Sequence, residues 1–232
     1  MVRSVPPDRF DAVIRAATRV FLDQGYRRTQ MADVARALGV AKGTLYLYVE
    51  GKEALFEQVM LHADRSAAIP LPGRLPVATP KSGATLRTVR GRLERETTLP
   101  ALAAALGRRR APADLRGELE AILREIYRLL ASHRIGIKLI DRCAADYPEL
   151  ASLWFGEGRG GVLVALERYL MARIASGQLP PVEDVAVSAR LVLETAVFWA
   201  VHRHFDPAPQ AVSEEIAEAA VVQFLVRALL GG

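Results

Sequence analysis

The chain has 232 residues, 51% of them hydrophobic and 25% charged, with a formal net charge of +5. That mix excludes a disordered or fibrous chain and leaves a globular one, either one large domain or a small domain joined to a larger. The positive balance suits a polyanion such as nucleic acid or an anionic membrane, and the single cysteine, Cys143, excludes an intrachain disulfide and a Cys-based zinc site within one chain.

Residues 1–7 lack the apolar core of a signal peptide, so no secretory leader is expected. Residues 8–24 are predicted as a first helix. Phe10, Val13, Ile14, Ala17, Val20 and Phe21 recur at helical spacing, Asp8 is placed to cap the start, and Gly25 stops it. Thr29 is expected as the N-cap of a short second helix with Met31, Val34, Ala35 and Leu38 inward and Gly39 as its left-handed stop. A third short helix is predicted over 41–49, with Val40, Leu45 and Val49 inward, and Gly51 breaks it. A fourth begins near Lys52, with Leu55, Phe56, Val59 and Met60 as its stripe.

Pro70, Pro72, Gly73, Pro76 and Pro80 then forbid a helix until about residue 82. The expected division is 1–66 as one domain, 67–82 as a Pro-rich linker or packed loop, and 83–232 as a second domain. Beyond the loop, helices are predicted over 83–96, 99–107, 113–133, 135–146, 148–175, 183–204 and 212–229. Breaks are expected at 108–112, 147–148, 156–161, 177–181 and 206–209. No alternating strand pattern of useful length is present, so the fold class is all-α. No run of about 18 apolar residues is present, so no membrane span is expected.

Chemistry concentrates between residues 29 and 52. Two short helices joined by the tight turn Leu38-Gly39-Val40-Ala41 have the geometry of a helix-turn-helix, whose second helix enters a DNA major groove. Its expected exposed face is Lys42, Gly43, Thr44, Tyr46, Leu47 and Tyr48. A lysine at the helix start reaches a phosphate or a guanine edge, glycine admits the DNA backbone, and hydroxyls of threonine and tyrosine bond phosphates. Leu47 offers apolar contact only. Lys52, Thr29 and Gln30 lie at helix N-termini, which favour anions.

The run Gly25-Tyr26, Thr29, Val34-Ala35, Leu38 through Val49, and Lys52-Glu53-Ala54-Leu55-Phe56 resembles the DNA-binding domain of tetracycline-repressor-type (TetR-family) regulators. The resemblance covers about a quarter of the chain. It implies that Lys42, Gly43, Thr44, Tyr46, Leu47, Tyr48 and Lys52 lie at or near DNA. Two positions depart from the family pattern. Ala41 stands where many relatives have serine, which removes a side-chain cap at about 0.5–2 kcal/mol, and Val49 replaces the usual phenylalanine.

The resemblance further implies a C-terminal domain that binds a small effector and forms a homodimer. The residues point the same way. The helices over 183–204 and 212–229 are apolar nearly all round, so each needs cover on two sides, and a two-fold four-helix interface supplies it. Leu191, Thr195, Phe198, Val222, Val226 and Leu229 are its expected residues. An apolar effector pocket is expected among Tyr127, Leu130, Arg142, Tyr147, Trp154, Phe155, Phe198, Trp199 and His202, with Trp154-Phe155 as one wall. For each of these residues alone, core packing is the commoner reason for being there.

Other patterns are weaker. The GxGxxG of residues 156–161 has no preceding strand and is expected to be a flexible helix–helix loop. His202 and His204 are two apart and lack a third ligand, so no metal is expected. Arg3 and Arg9 suit a minor-groove arm, and Arg108–Arg110 a nucleic-acid contact, but solvated surface is the commoner role. An all-helical enzyme would need a base paired with a nucleophile, and Cys143 has no histidine in a recognisable local arrangement. A ligand-free architectural DNA binder is a second alternative. The sequence thus predicts a cytoplasmic, non-enzymatic repressor that binds near-palindromic double-stranded operator DNA as a dimer, needs no cofactor, and is released by an apolar or aromatic small molecule.

Overall fold

The structure is a computed structural model. It describes residues 7–108, 110 and 112–231, with side chains from Arg9 onward. Arg3, Arg109 and the side chain of Asp8 lie outside the described residues.

Among the described residues twelve α-helices run α1 (Pro7–Arg28), α2 (Met31–Leu38), α3 (Lys42–Leu45), α4 (Lys52–His62), α5 (Ala84–Glu96), α6 (Pro100–Gly107), α7 (Leu115–Ser132), α8 (Arg134–Cys143), α9 (Pro148–Ser152), α10 (Arg159–Ala175), α11 (Val185–Ala200) and α12 (Glu214–Leu230). A π-helical segment, Leu153–Gly158, links α9 to α10, and a 3₁₀ turn, His202–Phe205, follows α11. Among the described residues there is no strand, only an isolated bridge between Val49 and Val77. The all-α expectation holds.

Two compact units form. The first comprises residues up to Arg95 together with Ile135–Trp154, and the second comprises Glu96–Arg134 together with residues from Phe155 onward. Residues 135–154, which the sequence reading grouped with the body, therefore cluster with the N-terminal helices. The cause is visible at Asp64. Its Oδ1 accepts the backbone N–H of Ile135 at 2.9 Å and of Gly136 at 3.0 Å, capping the start of α8. A Cβ on residue 136 would stand 2.6 Å from Asp64 Oδ2, so only glycine permits that approach.

The core of the first unit is the α1 stripe read from the sequence. Phe10, Val13, Ile14, Ala17, Val20 and Phe21 are all buried, as are Leu45, Val49, Leu55, Phe56 and Val59, and α1 packs on α2 and α4. Gly25 has φ 78°, and the chain turns there before the last residues of α1. The Pro-rich segment is packed rather than loose. Ile69 is buried and its N–H donates to Asp11 Oδ1 at 2.9 Å. Val77 donates to the Tyr48 carbonyl at 2.8 Å and accepts from the Glu50 N–H at 2.9 Å.

In the second unit α7, α11 and α12 pack on one another, with α10 against α11 and α6. Polar groups tie these helices together, buried at Glu118 and Arg173 and exposed at Arg128. Glu118 on α7 accepts from Tyr169 Oη at 3.0 Å and from Arg173 Nε at 2.9 Å, both on α10. Glu218 on α12 accepts from Arg124 and Arg128 on α7 at 3.1 and 2.9 Å. Residues 156–161, expected as a loop, are helical instead. The π turn widens the helix at Leu153–Gly158, and α10 begins at Arg159 without a break.

Candidate nucleic-acid interface

α2 ends as the sequence requires. Gly39 takes φ 69°, its N–H donates to the Arg36 carbonyl at 3.1 Å, and the Val40 N–H donates to the Ala35 carbonyl at 3.0 Å. This is the paired bonding of a left-handed helix stop, and it sets the sharp turn into α3. At the other end Gln30, not Thr29, is the N-cap, and the Asp33 carboxylate accepts the Gln30 N–H at 3.0 Å. Thr29 is displaced from that role because its hydroxyl donates to the Gly25 carbonyl at 2.7 Å, which buries the side chain.

α3 is shorter than expected, four residues instead of nine, and Ala41 caps it without a side-chain bond. The helical path continues as a tighter turn. The Leu47 N–H donates to Thr44 at 3.2 Å and the Tyr48 N–H to Leu45 at 2.9 Å. This tightening moves Tyr48 off the exposed face. It is 1% exposed, with its ring 6.5 Å from that of Phe10. The expectation that Tyr48 faces outward is corrected: it is buried in the core beside Phe10.

What remains outside is Lys42, Gly43, Tyr46 and Leu47, with Thr44 half-buried. Tyr46 and Leu47 are 41% and 42% exposed, high for large apolar side chains. A Cβ placed on Gly43 would meet nothing within 4 Å, so the fold does not demand glycine there. Lys52 is not turned outward. Its Nζ donates to the Tyr26 and Arg27 carbonyls at 3.0 and 3.4 Å and stands 4.6 Å from the Tyr26 ring centroid, tying the end of α1 to the start of α4. Gln30 is exposed, as are Arg9, Arg27, Arg28 and Arg36.

The expected effector residues divide between the two units. Arg142, Tyr147 and Trp154 belong to the first unit, and Tyr127, Leu130, Phe155, Phe198, Trp199 and His202 to the second. Arg142 is engaged with the Asp23 carbonyl at 2.5 Å. Tyr147 joins Tyr26 and Phe56 in an aromatic cluster. Trp154 is buried while its neighbour Phe155 is 44% exposed, so the two do not form one wall. In the second unit Tyr127 and Leu130 are buried, and Tyr127 Oη donates to Glu214 at 2.7 Å. Burial and this acceptor raise the Tyr127 hydroxyl above its ordinary range. Phe198 and Trp199 meet edge to face at 5.8 Å. His202 is half-buried in the 3₁₀ turn.

The expected dimer residues also divide. Leu191 and Phe198 are exposed, Thr195 and Leu229 are half-buried, and Val222 and Val226 are inside the subunit. Both faces of α12 are apolar, so the pattern alone did not say which one packs inward. The outward face carries Ile216 and Phe224, 61% and 64% exposed. Cys143 is fully buried, and that burial pushes its thiol up to about 12. It is held as a neutral thiol, a poor nucleophile. His204 pairs with Glu214 at 3.3 Å, and burial followed by Arg134 and Arg203 lowers its pKa.

Comparison with known proteins adds independent findings. The model of the bacterial regulatory proteins of the tetR family matches residues 13–59, and that of the AefR-like transcriptional repressor C-terminal domain matches 117–227, together more than half of the chain. An uncharacterized HTH-type transcriptional regulator, YhgD of Bacillus subtilis, is 40% identical over 52 residues, 22% of this chain and 27% of the relative. The HTH-type transcriptional repressor KstR2 of Mycolicibacterium smegmatis is 33% identical over 57 residues, 25% of this chain and 28% of the relative. The chain thus matches little more than a quarter of the length of these curated relatives. Among solved structures, the ketosteroid transcriptional regulator KstR2 of Mycobacterium tuberculosis superposes with a TM-score of 0.57 at 15% identity, covering 100% of this chain and 98% of that one. A tetR-family regulatory protein from Rhodococcus RHA1 gives 0.52 at 17% identity, covering 95% and 96%. These likenesses establish the fold along its whole length. No helix among the described residues is long and apolar enough to cross a membrane.

Proposed function

The chain belongs to the tetR family of bacterial regulatory proteins, and from that premise we propose that it is a repressor that binds near-palindromic operator DNA as a two-fold dimer and is released by a small-molecule effector. One observation carries the reading. A short helix entered through the Gly39 turn, together with the tight turn that follows it, presents Lys42, Gly43, Tyr46 and Leu47 to solvent with no partner side chains from the fold over Gly43. Lysine and tyrosine bond phosphate oxygens, and the bare glycine admits the DNA backbone. Leu47 touches a thymine methyl or nothing.

Residues 1–66 act as the DNA-binding domain, 67–82 as the packed loop beside it, and the second unit, Glu96–Arg134 with the residues from Phe155 onward, as the effector-binding and dimerisation domain. Dimerisation runs through the exposed apolar residues Leu191, Phe198, Ile216 and Phe224 of α11 and α12, whose exposure supports that role. Large apolar side chains gathered on two adjacent helices mark an association surface. The effector is an apolar or aromatic small molecule held in the second domain, and the protein acts in the cytoplasm without enzymatic activity. Effector binding favours a state whose two recognition helices no longer match successive major grooves, about 34–36 Å apart.

The test is a mobility-shift titration with the DNA upstream of the protein's own coding sequence. The wild-type protein is expected to shift it, and Lys42→Ala with Tyr46→Ala to abolish the shift while the circular dichroism spectrum is unchanged. An unaltered affinity in that double variant refutes the assignment.

A further inference from the structure

The first unit contains a cleft of about 310 Å³ that the reading above leaves unused. That is the lower end of the range for small-molecule sites, roughly 300–1,000 Å³. Three aromatic rings from three separate segments line it: Tyr26 beyond the Gly25 turn, Phe56 on α4, and Tyr147 just before α9. Their centroids lie 4.7 Å apart for Tyr26 and Phe56, 5.9 Å for Tyr26 and Tyr147, and 6.4 Å for Phe56 and Tyr147. Two carboxylates border the rings, Glu53 from the first turn of α4 and Asp146 beside Tyr147. The chain from Pro80 to Gly83, which carries Lys81, completes the lining.

The chemistry of this lining selects for positive charge. Aromatic faces carry negative potential and draw ammonium groups, most strongly where carboxylates stand nearby. The cluster already holds one cation in this way, since Lys52 Nζ stands 4.6 Å from the Tyr26 centroid. Asp146 uses Oδ2 to accept the Arg27 N–H at 2.9 Å, and a carboxylate has about four acceptor positions, so capacity remains. Burial, then the charge of Glu53, pushes the Tyr26 hydroxyl up to about 12, and burial followed by Glu149 raises that of Tyr147. Both therefore stay neutral hydroxyls that donate or accept, and both sense acidic neighbours. Lys81 is exposed, as are Glu53 and Asp146, so solvent and salt screen all three, and the two carboxylates outnumber the one ammonium.

We propose that this cleft binds a small organic cation, an ammonium group carried on an apolar or aromatic body. The ammonium lies toward Glu53 and Asp146, and the body lies against the rings of Tyr26, Phe56 and Tyr147. The site is distinct from the effector site of the second domain. Its wall at residues 80–83 continues directly from Val77–Thr79, the stretch bonded to the end of the recognition helix. Recognition of a cation here does not depend on the DNA-binding reading, and it is tested without DNA.

Calorimetric titration of the full chain with benzyltrimethylammonium and with choline is expected to show one saturable site per chain. The neutral isostere of choline, 3,3-dimethylbutan-1-ol, is expected to bind at least about tenfold more weakly. Glu53→Gln, at an exposed position where folding is not at stake, and Asp146→Asn are each expected to weaken the cations by roughly tenfold. Tyr147→Leu is expected to do the same with the circular dichroism spectrum retained. Absence of saturable binding up to about 10 mM overturns the proposal. Equal affinity for the neutral isostere overturns the ligand class, and binding untouched by both Glu53→Gln and Tyr147→Leu overturns the location.

Discussion

Gly43→Ala separates what the fold needs from what DNA needs. Glycine inside a helix costs about 0.5–1 kcal/mol relative to alanine, because it loses more backbone freedom on folding. Gly43 is the second residue of a four-residue helix, so the lower figure applies. An added Cβ meets nothing within 4 Å and strains nothing. The alanine variant should therefore gain about 0.5 kcal/mol, which for a chain of this size raises the melting temperature by about 1–2 °C. The same methyl stands on the exposed face proposed to meet DNA. It should push the DNA backbone away and weaken binding at least about tenfold, or about 1.4 kcal/mol. Differential scanning calorimetry reads the first effect, and fluorescence anisotropy on labelled upstream DNA reads the second. A destabilised variant refutes the packing argument, and a more stable variant with unchanged DNA affinity refutes the placement of Gly43 at DNA.

Val77→Pro removes the N–H that Val77 donates to the Tyr48 carbonyl. It should cost about 1 kcal/mol in stability and loosen the end of the recognition helix, seen as faster amide exchange at 46–50 and weaker DNA binding. Exchange that stays as slow as in the wild type would count against a bracing role for the loop. Glu218 has its pKa lowered from 4.5, first by the hydrogen bond from Arg128, with burial opposing. A depressed folded-state pKa gives stability that is present above the unfolded value and lost as pH falls through the folded one. Glu218→Gln should therefore lower the melting temperature at pH 7 and flatten its decline below about pH 4.5, and a parallel pH profile in the two proteins would refute this. Phe224→Glu changes a side chain that is 64% exposed, so the subunit should fold as before. Sedimentation should give about twice 25.4 kDa for the wild type and 25.4 kDa for the variant, and an unchanged mass would move the interface elsewhere.

The helices of the first unit were legible because local signals agree there. The apolar spacing of α1, the left-handed Gly39 and the Gly51 break each act within a few residues. Tyr48 was misread because strict helical spacing puts it outward, whereas the chain tightens after Leu45 and turns the ring onto Phe10. Thr29 and Lys52 have the composition of anion contacts, yet backbone carbonyls from α1 claim both side chains. For Lys52 the competition is tertiary and leaves no mark on the sequence, whereas the Thr29 bond reaches only four residues back and depends on the turn at Gly25. The outward face of α12 was equally hidden. Val222 and Val226 or Ile216 and Phe224 would each make an apolar stripe, and only the partners α7 and α11 decide which is inside. The cleft was missed altogether, because Tyr26, Phe56 and Tyr147 come from distant stretches of chain. Of the three, only Tyr147 was expected in a pocket, with a different set of neighbours, while Phe56 read as helix core and Tyr26 as part of the family-like run.

Hydroxyl-radical footprinting on the upstream DNA tests the central claim most directly. Two protected patches related by two-fold symmetry and spaced about one helical turn or a multiple of it, about 34–36 Å per turn, are predicted for the wild type, and both should vanish with Lys42→Ala and Tyr46→Ala. Protection that is absent at saturating protein, or that persists in the double variant, would contradict the account.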